Sequence, residues 1–246
     1  MLWDASLIKG YVIAARDGQL GGVSDFLFED VHWMIRWLVV DTGHWLAGRK
    51  VLLPPSALGH PNVQARRFPV NLTMQQVKDS PEIDTQRPVS RQMEEHIYDF
   101  YGWERYWMGA IAAPFVAPPY TPGSNTLKLA SAEQPSNADD PHLRSAAALM
   151  GYHIHATDAD MGHVADFLVD DASWRIRHLV IDTRNWWPGQ QVLLSPRTIR
   201  KMDWVDRSIH LNISREQIEH SPAYDPANMA DQVDEGLTLK YYRRRG

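Results

Sequence analysis

The sequence predicts a mainly β protein: two tandem small closed β-barrels of about six strands each, with short helices after each barrel. Three observations carry that reading. The chain writes one long pattern twice. Each copy is a series of short alternating or β-branched segments separated by turn residues. Five or six such strands within about 80 residues are too many for an open sheet with two solvated edges, so closure is the economical arrangement.

The repeat keeps one register throughout. Gly10-Tyr11 aligns with Gly151-Tyr152, and the same offset of 141 matches Asp17 with Asp158, Gly21 with Gly162, Asp25 with Asp166 and Trp33 with Trp174. It continues through Asp41-Thr42 and Asp182-Thr183, Trp45 and Trp186, Gly48 and Gly189, and Asn71 and Asn212, ending at Asp84 and Asp225 without a gap. Chance does not hold register that long, so a domain has been duplicated.

Within each copy the elements come in a fixed order. "GYVIAA" alternates as a strand, "RDGQLGG" supplies turn chemistry, and "VSDFLFED" returns as a second strand. "WMIRWLVVD" is a third strand, "TGHWLAGR" a loop bearing Gly43 and Gly48, and "KVLLP" a short buried strand. "SALG" and "FPVNL" read as the last two strands. Thr73 then caps a short helix that Pro81 stops, and Ser214 opens its equivalent. Between the copies, Met93, Ile97 and Phe100 or Tyr101 fall on one helical face, and a stretch rich in Pro, Ser, Asn and Asp after them reads as a mobile linker. A fainter echo of that helix begins at Gln232. The expected organisation is a first barrel over 1–87, helix and linker over 88–148, a second barrel over 149–228, and a C-terminal helix and basic tail over 229–246.

The shared pattern, G-Y-x-I-x-A-x-D-x-x-x-G-x-V-x-D-F-L and then Trp, I-R-x-L-V-[VI]-D-T, W-x-x-G and V-L-L-x-P, resembles PRC-barrel domains. That family includes the cytoplasmic barrel of the bacterial photosynthetic reaction-centre H subunit and the C-terminal barrel of a ribosome-maturation factor. The resemblance covers 10–84 and 151–225, and "RPVSRQMEEHIYDFYGW" is similar to the segment after the barrel in tandem bacterial members. It implies a non-enzymatic barrel that docks onto other proteins, in photosynthetic electron-transfer complexes or RNA-processing assemblies.

Composition narrows the function classes. With 30 acidic against 25 basic residues and a net charge of −5, the chain lacks the field of Lys and Arg that tracking nucleic-acid phosphates needs. The absence of cysteine excludes disulfides, thiol catalysis and thiolate metal sites. The start of the chain lacks signal-peptide character, and Pro114, Pro118 and Pro119 break its longest uncharged apolar stretch, so a soluble cytoplasmic protein without membrane insertion is expected.

Three groups of residues are candidate sites. His153 and His155 share a strand face, with His163 across the expected hairpin; neutral imidazoles so placed can hold zinc or copper. The equivalent positions in the first copy are Val12, Ala14 and Gly22, and the strand alternation points the histidine pair outward, which favours a solvated pair. Asp25, Asp41, Asp166 and Asp182 recur in both copies; they read as turn and hydrogen-bonding residues rather than an acid/base pair, with Arg36 and Arg177 near enough in sequence to pair with them. Trp45, Trp186 and Trp187 sit in glycine-bearing loops, as interface anchors or as caps folded over an open barrel end. "DGQLGG" reads as a hairpin turn, not a phosphate loop, because the second copy loses two of its glycines and a strand comes next.

No catalytic group and no cofactor is expected. The leading functional expectation is a protein-interaction or scaffold module connected with stress physiology or complex assembly. The alternatives are a soluble reaction-centre H-subunit-like protein that modulates electron or proton transfer, and a small-ligand or metal sensor. The duplication also opens pairing of the two barrels about a pseudo-twofold axis, or homo-oligomerisation.

Overall fold

The computed structural model describes residues 2–46, 48–81, 91–103, 143–183, 190–221 and 223–224. The first repeat supplies β1 (Leu2–Asp4), α1 (Ala5–Ile8), β2 (Val12–Ala14), β3 (Gln19–Glu29), β4 (Met34–Asp41), β5 (Lys50–Leu53), β6 (Arg67–Pro69) and α2 (Met74–Lys78). After α3 (Arg91–Tyr101), the second supplies β7 (Leu143–Ser145), α4 (Ala146–Leu149), β8 (His153–His155), β9 (Asp160–Asp170), β10 (Arg175–Asp182), β11 (Gln191–Leu194), β12 (Ile199–Asp203), β13 (Ser208–Leu211) and α5 (Arg215–Glu219).

The protein is mainly β, and its sheet curls into a half-barrel. Bulges bend it: the β3–β4 ladder shifts register between Val23 and Asp25 and again between Leu27 and Phe28. The β9–β10 ladder shifts at two places as well. Each extra residue unpairs locally and increases the twist. It also flips the face that side chains address, so Ile35, Leu38 and Val40 of β4 all reach the inner core while Trp37 and Val39 point outward.

The two repeats do not form separate sheets. The described strands link into one thirteen-stranded sheet, and the join is symmetric. β4 meets β10 antiparallel with Met34 opposite Arg175, equivalent residues of the two repeats. Around them, Ile35 N–H donates to the Trp174 carbonyl at 2.8 Å and Ile176 N–H to the Trp33 carbonyl at 2.7 Å. A pseudo-twofold axis therefore passes between Met34 and Arg175.

The repeats also exchange their leading strands. β1 pairs with β9 of the second repeat (Trp3 opposite Val169), and β7 pairs with β3 of the first (Arg144 opposite Phe28). The length of the receiving strands explains this. β2 covers only the start of β3, from Gln19 to Gly22, which leaves the edge at Leu27–Glu29 open for β7. An unpaired edge is a liability, and the borrowed strand closes it. Behind β1 and β7, Trp3, Ala5, Ile8, Ala146 and Leu149 enter one continuous core that draws on both repeats. Burying each large side chain stabilises by roughly 1.5–3 kcal/mol. The second repeat thus begins at Leu143, inside the span expected to be linker.

The short helices α2 and α5 start where the sequence places their caps, whereas α1 and α4, at the start of each repeat, are not expected from it. Thr73 and Ser214 each close a capping box, with Gln76 and Gln217 as the reciprocal partners. α3 lies on the outer face of the first repeat, where Ile97 and Tyr98 pack with Trp37, Val39, Leu52 and Leu143. Of the two aromatics at its end, Tyr101 packs inward and Phe100 is exposed. "SALG" is not a strand: Pro55–Ala57 is a 3-10 turn, and only Leu58 bridges, to Val70. Pro55 fixes φ and has no N–H for a ladder. In the second repeat the corresponding turn, Pro196–Thr198, leads into β12.

Candidate functional site

The residues written into both repeats converge on the joint and on the ends of the sheet. Asp25 holds the borrowed segment of the second repeat: its carboxylate accepts from Ser145 Oγ at 2.6 Å and from the Ala147 N–H at 2.9 Å, at the start of α4. Asp166 does the same for the first repeat's segment, accepting from the Ser6 N–H at 3.2 Å and from its neighbour Phe167 N–H at 2.8 Å. Burial pushes the Asp166 carboxyl above the usual carboxylate range, against the lowering pull of those bonds. Asp17 and Asp158, in the hairpin turns, accept from the Met74 and Arg215 N–H groups at 2.8 and 2.7 Å, and so cap α2 and α5. The β2–β3 turn falls at the start of "DGQLGG", at Asp17-Gly18, and its last four residues, Gln19–Gly22, already belong to β3.

Asp41 accepts from the Gly43 N–H at 2.8 Å, while Thr42 and Thr183 donate to the carbonyls of Arg49 and Gln190 and close the loop after β4 and β10. Arg36 and Arg177 reach different carboxylates from those expected. Arg36 lies 3.5 Å from Glu29 and Arg177 3.0 Å from Asp170, equivalent residues one strand away. The pleat decides this, since Glu29 and Asp170 face the arginines at the hairpin end and Asp25 and Asp166 turn toward the borrowed segments.

The histidines sit in one corner of the second repeat. His153 lies opposite His163 in the β8–β9 ladder. His155 Nδ1 is 2.5 Å from Asp160 Oδ1, and its ring stacks on that of His210, centroids 5.0 Å apart. His210, on the neighbouring strand β13, is a member that sequence spacing does not reveal. Among the described residues, no group of three or more His, Cys, Asp or Glu side chains is placed to hold a metal ion. Trp45 folds back against the core, its indole N–H donating to the Leu20 carbonyl at 2.6 Å. Trp186 and Trp187 lie outside the described residues, as do 104–142 and the C-terminal segment from 225.

No family model and no curated protein matches the chain.

Two clefts flank the pseudo-twofold axis. One, of about 320 Å³, is walled by Trp3, Ile8, Leu58, His60, Phe68 and Trp174. The other, of about 420 Å³, occupies the symmetry-related position, around Trp33, Ile176, Ile199 and Met202. Each takes a tryptophan in the left-handed region from the hairpin after β3 or β9, with φ of 58° at Trp33 and 53° at Trp174. Such a φ is uncommon for a bulky residue and turns both rings into the joint. Neither cleft is visible in the sequence, because each is assembled from both repeats.

Proposed function

We propose that the protein is a non-enzymatic scaffold that docks other proteins, built from two PRC-like barrels fused into one body. The observation that supports it is where the repeated side chains go. Of the carboxylates that recur in both repeats, Asp17 and Asp158 cap helices, Asp25 and Asp166 hold the exchanged segments, and Asp41 closes a turn on Gly43. A signature devoted to rigidity fits a platform whose task is to present surfaces at fixed spacing. Closure of each barrel is part of the same reading: Leu58 bridges Val70 in the first repeat and Ile199 pairs with Leu211 in the second, returning the chain after β5 or β11 toward the strand beside β2 or β8.

Affinity capture, mass-spectrometric identification and reconstitution from purified components test the reading. Val63 and Val205 stand exposed in equivalent turns, at 57% and 91%. A stoichiometric partner should bind the wild type and lose at least tenfold in affinity with Val63→Asp/Val205→Asp. A chain that reconstitutes with no partner, or that turns over a substrate, would remove the scaffold reading.

A further inference from the structure

The two clefts share their framework but not their charge. In the larger one, Arg175 and Arg177 from β10, Arg197 from the 3-10 turn, and Arg200 and Lys201 from β12 line the same space. At the equivalent positions the first repeat carries Met34, Arg36, Ser56, Gly59 and His60. Four cations are thus present where the same fold is built without them, so the architecture does not require them. They gather on a chain whose net charge is −5.

Local pairing compensates only part of this charge. Arg177 meets Asp170, Lys201 lies 3.0 Å from Asp203, and Asp30, the one acid among the described residues that line the cleft, is 3.2 Å from Arg144. His32 at the mouth is paired with Glu29. Among the described residues, Arg197 and Arg200 have no side-chain partner, and Arg175 Nε is buried without a hydrogen bond. The guanidinium groups of Arg197 and Arg200 are exposed, so both can close on an anion that enters the cleft. Val31, Trp33, Ile176 and Met202 supply apolar wall beside the cations.

We infer that this cleft binds a small organic phosphate: its phosphate is held by Arg175, Arg197, Arg200 and Lys201, and its apolar part lies against the Trp33 side. Several guanidinium groups converging on one concavity match phosphate oxygens in number and geometry better than a single carboxylate. The volume is within the range of small-molecule sites. The inference does not depend on the scaffold reading and assigns a second, ligand-binding role to the joint.

Isothermal titration calorimetry of the full chain at 0.15 M salt, with phenyl phosphate and inorganic phosphate as probes, tests it. Saturable binding of one phenyl phosphate per chain is expected, tighter than inorganic phosphate. The variant Arg175→Met/Arg197→Ser/Lys201→His installs residues that the other repeat already carries at these places, and should weaken phenyl phosphate at least tenfold. Arg67→Ser, at an exposed arginine on β6, should leave binding unchanged. An unaltered thermal midpoint of the ligand-free triple variant separates lost binding from lost fold; should it not fold, Arg197→Ser alone must still weaken binding. No saturable binding, equal loss in Arg67→Ser, or retained affinity in a folded triple variant overturns the inference. So does preferential binding of an Asp/Glu-rich peptide or of phosphatidic acid vesicles, which would assign the cations to a protein or a membrane.

Discussion

At the scale of single residues, Gly21 and Gly162 show most directly why the repeat preserves what it does. A Cβ on Gly21 would lie 1.9 Å from the Asp41 carbonyl oxygen, and one on Gly162 2.0 Å from that of Asp182. Both also have positive φ, 145° and 109°. Gly22, one residue on, meets nothing closer than 3.9 Å, and the second repeat places His163 there. Gly21→Ala should therefore destabilise by about 3 kcal/mol, combining backbone strain with overpacking, whereas Gly22→Ala should change the urea midpoint little. Equal midpoints for the two variants would contradict the close approach. Asp166 gives a pH-dependent test. Its folded-state pKa is raised above 3.8, so its contribution to stability is fully present below 3.8 and is lost as pH rises through the folded value. Asp166→Asn keeps an oxygen for the Ser6 and Phe167 N–H groups without titrating. The stability difference between wild type and variant should shift against the wild type as pH rises through that window, and a difference independent of pH would refute the assignment.

At the scale of elements, the sequence was most legible where structure is local. The β2–β3 and β3–β4 hairpins, the caps at Thr73 and Ser214, and the inward face of α3 all arise from short-range pattern and turn chemistry. What escaped was pairing between distant segments. Leu2 and Leu143, like Ala5 and Ala146, obey the same offset as the rest of the repeat, yet nothing in three residues of strand says which edge they will join. The exchange makes a specific demand on the first segment. Trp3 is buried, pairs opposite Val169 and belongs to the core, so Trp3→Ala should cost about 3–5 kcal/mol. Its local signature should appear in the other repeat: hydrogen exchange at Leu168–Asp170 should accelerate more than at Leu27–Glu29, which β7 protects. The reverse order would show that β1 serves its own repeat.

At the scale of the whole molecule, duplication was readable and its consequence was not. The recurrent carboxylates were visible as a set, but the task of Asp25 and Asp166 depends on segments more than 100 residues away, Ser145 and Ser6. The clefts were hidden for the same reason. The arginines around the larger one are scattered between Arg175 and Lys201 and form no charge run, so only the fold gathers them.

The pairing of Met34 with Arg175 on the axis has a further meaning. If a single repeat assembled with a copy of itself in this way, the residue on the axis would have to face its own double. The second repeat would set arginine against arginine, an arrangement that like charge disfavours across a strand pair. One polypeptide carrying two unequal repeats escapes that rule. Methionine sits across from arginine, the guanidinium is tolerated at the centre, and each molecule keeps one arginine-lined cleft and one without arginine instead of two of a kind.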